Sequence, residues 1–295
     1  MRILILGGNG MIGHKIYQSL SAEFPDTWVL VRKNFDLLTS KNIFNKSKII
    51  DGFDLINFIK LDSLLRDLNP DIIINAAGIT IRRGVNDNLY RTIMTNSALP
   101  HFLGEWVQGK VGKRLIHFST DCVFSGKTGS YEDNSIPDST DNYGKSKALG
   151  EVNLSQTLTL RGSMIGRELH YHTELLDWFL SQKSKVIKGF SGVFYSGITT
   201  IRMANYVKKI IYNFPNLSGI YNVSSSPISK YDLLILFNET FDAKLEIIKD
   251  ETYTSNKVLI SNLFYKAIQE KTPLWHDLIV ELYNDSNLNN NFYKK

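Results

Sequence analysis

Tyr143 and Lys147 stand four residues apart in DNYGKSKALGE, residues 141–151. On a helix that spacing puts both side chains on one face. Free tyrosine titrates near roughly 10, and a neighbouring cation favours the phenolate and lowers that value. A phenol tuned in this way suits proton delivery to an alkoxide as a ketone is reduced by hydride. The bland alternative is a tyrosine packed at a helix start and a solvated lysine pairing with Glu151 one turn on, worth roughly a few tenths of a kcal/mol. Choosing between them requires a hydride carrier and a third group to hold the carbonyl.

Thr120 is the candidate for that third group. It follows Arg114–Ser119, an apolar run that reads as a parallel strand, so its hydroxyl can hydrogen-bond a carbonyl at the strand end. An edge threonine without a role remains open. Asp121 can contact substrate or only position a loop. Val123 and Phe124 can wall a substrate pocket or fill core. Arg161 and Arg167 carry guanidinium groups able to bind a diphosphate, with a plain surface role preferred for Arg167. Thr199 and Thr200 open a helix, as caps or as substrate contacts. The six histidines form no HExxH pattern. His170 and His172 lack an obvious third ligand, so no catalytic metal is expected. Cys122 is the single cysteine, which excludes an intrachain disulfide framework. It reads as packing, because no base is placed to activate it.

A hydride carrier has a plausible seat at the other end of the chain. GGNGMIG (Gly7–Gly13) lies between an apolar strand and an amphipathic helix. Gly7, Gly10 and Gly13 have the spacing that permits a tight turn, close approach to a pyrophosphate and helix-on-sheet packing. Asn9, Met11 and Ile12 complete the loop, and a helix N-terminus there offers N–H groups to phosphate. After the second strand come Arg32 and Lys33 where an NAD site usually places an acid. Two cations suit a 2′-phosphate, so NADPH is the expected cofactor, with NADH not excluded and two ordinary surface cations the alternative. Asp54 and Leu55 can hold an adenine, although Asp54 reads equally as a helix cap. Ala76, Ala77 and Gly78 are small residues at a strand end, leaving room for a ligand.

The elements that must position these groups alternate. Strands are predicted at Arg2–Leu6, Trp28–Val31, Lys48–Ile50, Asp71–Asn75 and Arg114–Ser119. Helices are predicted at Met11–Leu20, Phe35–Phe44, Ile56–Leu68 and Ser97–Val107. Continuous apolar strands separated by helices imply a doubly wound parallel α/β sheet of the Rossmann type. Beyond residue 160 the rhythm loosens. Strands are expected at Thr157–Leu160, Gly189–Tyr195, Gly219–Val223 and Lys244–Ile248, and helices at Thr173–Ser181, Thr200–Tyr212 and Ser229–Phe241. This divides the chain into a dinucleotide-binding domain (1–160), a smaller α/β lobe for substrate interleaved with it (161–285), and a polar, Asn-rich tail (286–295) expected to be loosely ordered.

The chain has 295 residues, 43% hydrophobic and 21% charged, in keeping with a folded globular protein. A net charge of +5 is too mild for a dedicated nucleic-acid binder but favours anionic ligands. The apolar run Ile3–Leu6 is too short for a signal peptide or membrane span, so a cytoplasmic location is expected.

Together these residues resemble the extended short-chain dehydrogenase/reductases. Within them, STDCVFSGKTGSYEDNSIPDSTDNYGKSKALGE (Ser119–Glu151) is similar to the dTDP-4-dehydrorhamnose reductase group. Gly129, Tyr131 and Pro137 fall in place, while Asp133 stands where a glutamate is usual. Cys122 replaces a tyrosine and Ser125 an aspartate. The resemblance implies that Tyr143 delivers a proton, Lys147 supports it and holds the nicotinamide ribose, and Thr120 positions a 4-keto group on a nucleotide-activated 6-deoxysugar. It also implies a homodimer. Thr120-Asp121-Cys122 lacks the Asp-Glu pair of the related 4,6-dehydratases. An epimerase using the same triad, and a non-catalytic dinucleotide-binding regulator, remain alternatives.

Overall fold

The structure, a computed structural model, describes residues 1–33, 42–182 and 185–293. Its centre is a seven-stranded sheet in the order β10-β6-β5-β4-β1-β2-β3. The strands are β1 (Ile3–Leu6), β2 (Thr27–Leu30), β3 (Ile49–Ile50), β4 (Ile72–Asn75), β5 (Arg114–Ser119), β6 (Thr157–Arg161) and β10 (Gly219–Asn222). All neighbours run parallel. The doubly wound sheet expected from the sequence is therefore present.

The run Ile3-Leu4-Ile5-Leu6 shows why. All four residues are fully buried, but Ile3 and Ile5 enter one hydrophobic cluster and Leu4 and Leu6 another. Successive strand residues face opposite sides, and helices cover both, so both faces must be apolar. One cover consists of the helices Gly13–Ser21 and Thr200–Asn213, whose apolar sides meet at residues such as Ile16, Leu20, Met203 and Val207. The other comes from Phe58–Leu68 and Leu99–Val107 through Leu61, Leu65, Leu103 and Val107.

The C-terminal half is threaded into this frame, because it supplies β10 and the helix Thr200–Asn213. It also forms a ribbon in which β8 (Val186–Tyr195) lies between β11 (Ile228–Ser229) and β12 (Glu246–Lys257). A further pair joins β7 (Met164–Ile165) to β9 (Ile198–Thr199).

Several expectations need correction. Most of the helix placed at Phe35–Phe44 lies outside the described residues. The helical stretch before β5 begins earlier, at Leu89–Ile93, and passes through a π turn at Met94–Ala98. The strand expected at Lys244–Ile248 is the start of the longer β12, and helices at Asn262–Ala267 and Trp275–Leu288 were not anticipated. The tail is helical again at Asn290–Tyr293, where Tyr293 is buried. Phe292 packs against the same core, and Asn289 donates to Asp285, so this stretch is held to the body of the protein.

Among the described residues no helix is long and apolar enough to cross a membrane. No group of three or more His, Cys, Asp or Glu side chains among them is placed to hold a metal ion.

Candidate active site

Chain direction across the sheet reverses between β1 and β4, which are neighbours. Such a switch point leaves a crevice beyond the strand C-termini. Here a cleft of about 710 Å³ opens there and runs from the glycine loop to Tyr143.

At one end it is lined by Gly7, Asn9, Gly10, Met11 and Ile12. Gly7 has φ +73°, and a Cβ there would sit 2.9 Å from the Ala76 carbonyl oxygen. Only glycine permits both the conformation and the contact. Gly13 is the first residue of the helix Gly13–Ser21, whose N-terminus receives no side-chain cap. The His14 N–H is taken by the Gly10 carbonyl at 3.2 Å, and the turn before it, without a side-chain cap, faces the cleft as an anion site would. Arg32 and Lys33 line the same end from the exit of β2, and both are exposed.

Asp54, Leu55, Ala76, Ala77 and Gly78 also line the cleft. Asp54 does not cap the following helix; Asn57 does, accepting from Lys60 N–H at 3.1 Å. The Asp54 carboxylate instead meets Arg91 at 2.5 Å and accepts from Ile56 N–H. Burial alone would raise its pKa, but the Arg91 and Ile56 hydrogen bonds and the charges of Arg91 and Arg32 leave it lowered. An uncapped helix, a glycine turn and two exposed cations fit a phosphorylated dinucleotide.

At the other end, Asp141 starts the helix Asn142–Leu149 by accepting from Gly144 N–H at 2.8 Å. That helix is seated tightly at both ends. A Cβ at Gly144 would fall 2.2 Å from the Cys122 carbonyl oxygen, and one at Gly150 would fall 1.9 Å from that of Asn96. Thr120, Asp121, Cys122, Tyr143 and Lys147 all line the cleft. Thr120 Oγ1 accepts from Cys122 N–H at 3.2 Å and donates to Asp121 Oδ1 at 3.1 Å.

Burial, then the Cys122 and Asp121 groups, raise the Tyr143 pKa, opposed by a hydrogen bond with Thr120; Glu174 adds a further upward push. The Lys147 ammonium donates to the Phe118 carbonyl at 2.7 Å, and burial lowers its pKa to about 8 against the pull of Glu151. Burial and Asp121 raise the Cys122 thiol to about 12. A thiol so held is no nucleophile at neutral pH.

Other candidates fall elsewhere. Arg161 is buried, and its guanidinium is consumed by Glu151 through Nε (2.8 Å) and Nη2 (2.7 Å) and by Asn222 through Nη1 (3.0 Å). It lies outside the cleft, so a diphosphate would have to displace a buried ion pair to reach it. Glu151 is thus taken by Arg161 rather than by Lys147, the pairing raised as the bland alternative. Val123 and Phe124 are fully buried, with Phe124 stacked on Tyr131 at 4.1 Å. Thr199 is buried as the cap of Thr200–Asn213, accepting from Arg202 N–H. Arg167 pairs with Asp177 at 2.6 Å.

In their place the structure brings in residues that sequence reading passed over. Arg82 and Arg83 enter from the turn Ile81–Arg83, and Glu168, Tyr171 and Glu174 from the loop after β7. The Arg-Arg pair just beyond Asn75–Gly78 was the available signal.

A doubly wound sheet with a glycine turn after its first strand, and a Tyr-x-x-x-Lys helix facing a strand-end threonine across one cleft, defines a short-chain dehydrogenase/reductase. The RmlD substrate binding domain family matches residues 1–167, more than half of the 295, and the chain belongs to that family. It is accordingly an enzyme of the NAD(P)-dependent oxidoreductase class.

Two relatives match along most of their length. The spore coat polysaccharide biosynthesis protein SpsK of Bacillus subtilis is 24% identical over 281 residues, 91% of each chain. A dTDP-4-dehydrorhamnose reductase of Aggregatibacter actinomycetemcomitans is 27% identical over 266 residues, 83% of this chain and 81% of that one. The solved dTDP-4-dehydrorhamnose reductase of Bacillus anthracis, in complex with NADP, superposes with a TM-score of 0.78 at 19% identity, covering 97% of this chain and 99% of that one.

Proposed function

We propose that the protein is an NADPH-dependent reductase of the 4-keto group of a nucleotide-activated 6-deoxysugar. The observation that carries this reading is the convergence of Thr120, Tyr143 and Lys147 with the glycine loop in one cleft. The names of the Aggregatibacter and Bacillus anthracis relatives support it.

The residues present divide the task. Gly10, Met11, Ile12 and the helix N-terminus would hold the dinucleotide diphosphate, Arg32 and Lys33 its 2′-phosphate, and Lys147 the nicotinamide ribose. The nicotinamide, when bound, supplies the hydride. The Thr120 hydroxyl, which donates to Asp121 in the structure, would turn to donate to the ketone oxygen and so fix it beside Tyr143. Burial keeps the phenol protonated at neutral pH, which is the form a reductase needs at the start of turnover. As the oxygen gains electrons it takes the Tyr143 proton. Asp121, followed by Cys122 rather than a glutamate, leaves no acid–base pair for eliminating water.

The test is turnover of dTDP-, UDP- and GDP-linked 4-keto-6-deoxysugars with NADPH by the wild type and Tyr143→Phe. A loss of about 10²–10⁴-fold in kcat with NADPH affinity retained is expected. Unchanged turnover would remove the proposed acid.

A further inference from the structure

Resting on that reading, we infer that Arg82 and Arg83 grasp the diphosphate of the sugar nucleotide, taking it in exchange for the glutamates that hold them in the structure. A diphosphate entering the catalytic half of the cleft must find cations. Lys147 is turned onto the Phe118 carbonyl, Arg161 is locked in its buried pair with Glu151, and Arg167 is held by Asp177. Lys230, over the Tyr195 ring, and Lys257, against Cys122, are near Asp121 but do not line the cleft, and of the described cations that do, Arg32, Lys33 and Arg91 sit with the glycine loop and Asp54, leaving Arg82 and Arg83 in the catalytic half.

Arg82 is placed to change partners, and Arg83 beside it would have to leave a closer, half-buried pair. Arg83 lies over the Tyr171 ring, its guanidinium carbon 4.0 Å from the centroid, and pairs with Glu168. Arg82 Nε stands 3.7 Å from Glu174 Oε2, and its Nη1 donates to the Thr173 carbonyl. At 3.7 Å the Arg82–Glu174 pair is looser than a charge-assisted hydrogen bond, and Arg82 is half exposed. Such a pair contributes little and is readily exchanged. A diphosphate offers guanidinium groups paired oxygen acceptors for bidentate hydrogen bonds, as a carboxylate does, with more charge.

The acidic side of the exchange is prepared as well. Glu168 Oε2 accepts from Thr173 N–H at 2.6 Å and from Glu174 N–H at 2.8 Å, so it keeps partners when Arg83 leaves. Burial and the neighbouring Glu168 raise the pKa of Glu174. Between these acids Tyr171 and His172 both adopt positive φ, at 80° and 53°. Two consecutive non-glycine residues in that region are strained, and the Arg82 and Arg83 contacts are part of what holds the loop there.

The experiment measures dTDP, UDP and GDP binding by calorimetry on NADPH-loaded protein, for the wild type, Arg82→Gln/Arg83→Gln, Arg83→Lys and Glu174→Gln. NADPH affinity and thermal midpoint are taken on the same samples. The wild type binds at least one of the three. The double variant binds it at least tenfold more weakly with NADPH affinity unchanged, and Arg83→Lys recovers part of the loss. Glu174→Gln, which removes the acid competing for Arg82, binds it severalfold more tightly. Equal affinity in the wild type and the folded double variant would overturn the assignment, as would a parallel loss of NADPH, which would give the arginines to the cofactor. No tightening in Glu174→Gln would overturn the exchange. If the wild type binds none of the three, the sugar-nucleotide reading itself fails and the arginine assignment goes with it.

Discussion

His14 and Tyr293 meet across 279 positions of the chain, with the His14 Nε2 atom 3.3 Å from the tyrosine hydroxyl. The other ring nitrogen, Nδ1, lies 2.8 Å from the Gly10 carbonyl. A carbonyl can only accept, so Nδ1 carries the proton and Nε2 accepts from Tyr293. One imidazole thus ties the end of the chain to the glycine loop. Lys15, its neighbour, is anchored to Asp285 at 2.6 Å and lies 5.3 Å from the Tyr293 ring centroid.

Tyr293→Phe should therefore cost about 1–2 kcal/mol, because a buried imidazole nitrogen loses its partner. It should also weaken NADPH binding severalfold, since the Gly10 carbonyl is oriented through the same ring. Denaturant titration and NADPH titration check both. An unchanged midpoint and Kd would uncouple the C-terminus from the loop.

The same histidine predicts a pH dependence. Burial, then the Lys15 charge, depress its pKa from 6.5 to about 3. The unfolded chain takes a proton between those values and the folded chain does not. Stability is therefore fully present above pH 6.5 and falls as pH drops toward 3, by up to about 1.4 kcal/mol per pH unit. Buried His117, also depressed, adds a slope of the same sign. Urea midpoints at neutral and acid pH should show a shallower decline for His14→Gln than for the wild type.

Arg161 gives a test of structural against binding roles. Arg161→Met leaves Glu151 charged, buried and unpaired, a loss of about 3–5 kcal/mol. Arg161→Met/Glu151→Leu should recover most of it, because removing both charges removes the desolvation cost. Thermal unfolding of the two variants decides. Recovery in the double variant identifies a buried support, whereas equal stability of all three forms would free Arg161 for a ligand.

Cofactor choice should turn on the exit of β2. Arg32→Ser/Lys33→Ser should raise the KM for NADPH by about tenfold or more while changing that for NADH little, since only the former carries a 2′-phosphate to pair with a guanidinium. Steady-state kinetics with both dinucleotides reads the ratio. An unchanged ratio would reduce both residues to surface cations.

The parts of the molecule legible in sequence are those governed by local rules. Ile3–Leu6 could be read as a buried strand from its apolar run, and Gly7–Gly13 as a phosphate turn from its spacing, because both depend on neighbours a few residues away. Asp141 and Ser229 were readable as helix starts for the same reason, and each accepts from an N–H three residues on. The buried setting of Arg161 was hidden because its partners, Glu151, Asn222 and Asp133, are brought together only by β6, β10 and the loop beside them. Tyr293 was hidden in an asparagine-rich tail whose composition spoke for solvent. The arginine turn and the Glu168–Glu174 loop meet only once the sheet has folded, so neither segment announced the other.

The glycines that seat the Asn142–Leu149 helix carry one more consequence. Because Gly144 rests on the Cys122 carbonyl and the Ser139 side chain, and Gly150 on the Asn96 carbonyl, the placement of Tyr143 against Thr120 is set by contacts behind the helix rather than by the cleft. Side chains elsewhere in the cleft can change without moving it. On the proposed reading, the arginine turn and the strained loop facing it can be redrawn for another sugar or another base while Tyr143 stays where it is. For an engineer seeking new substrates, that makes residues 80–84 and 168–174 the region to vary, and the helix start the region to leave alone.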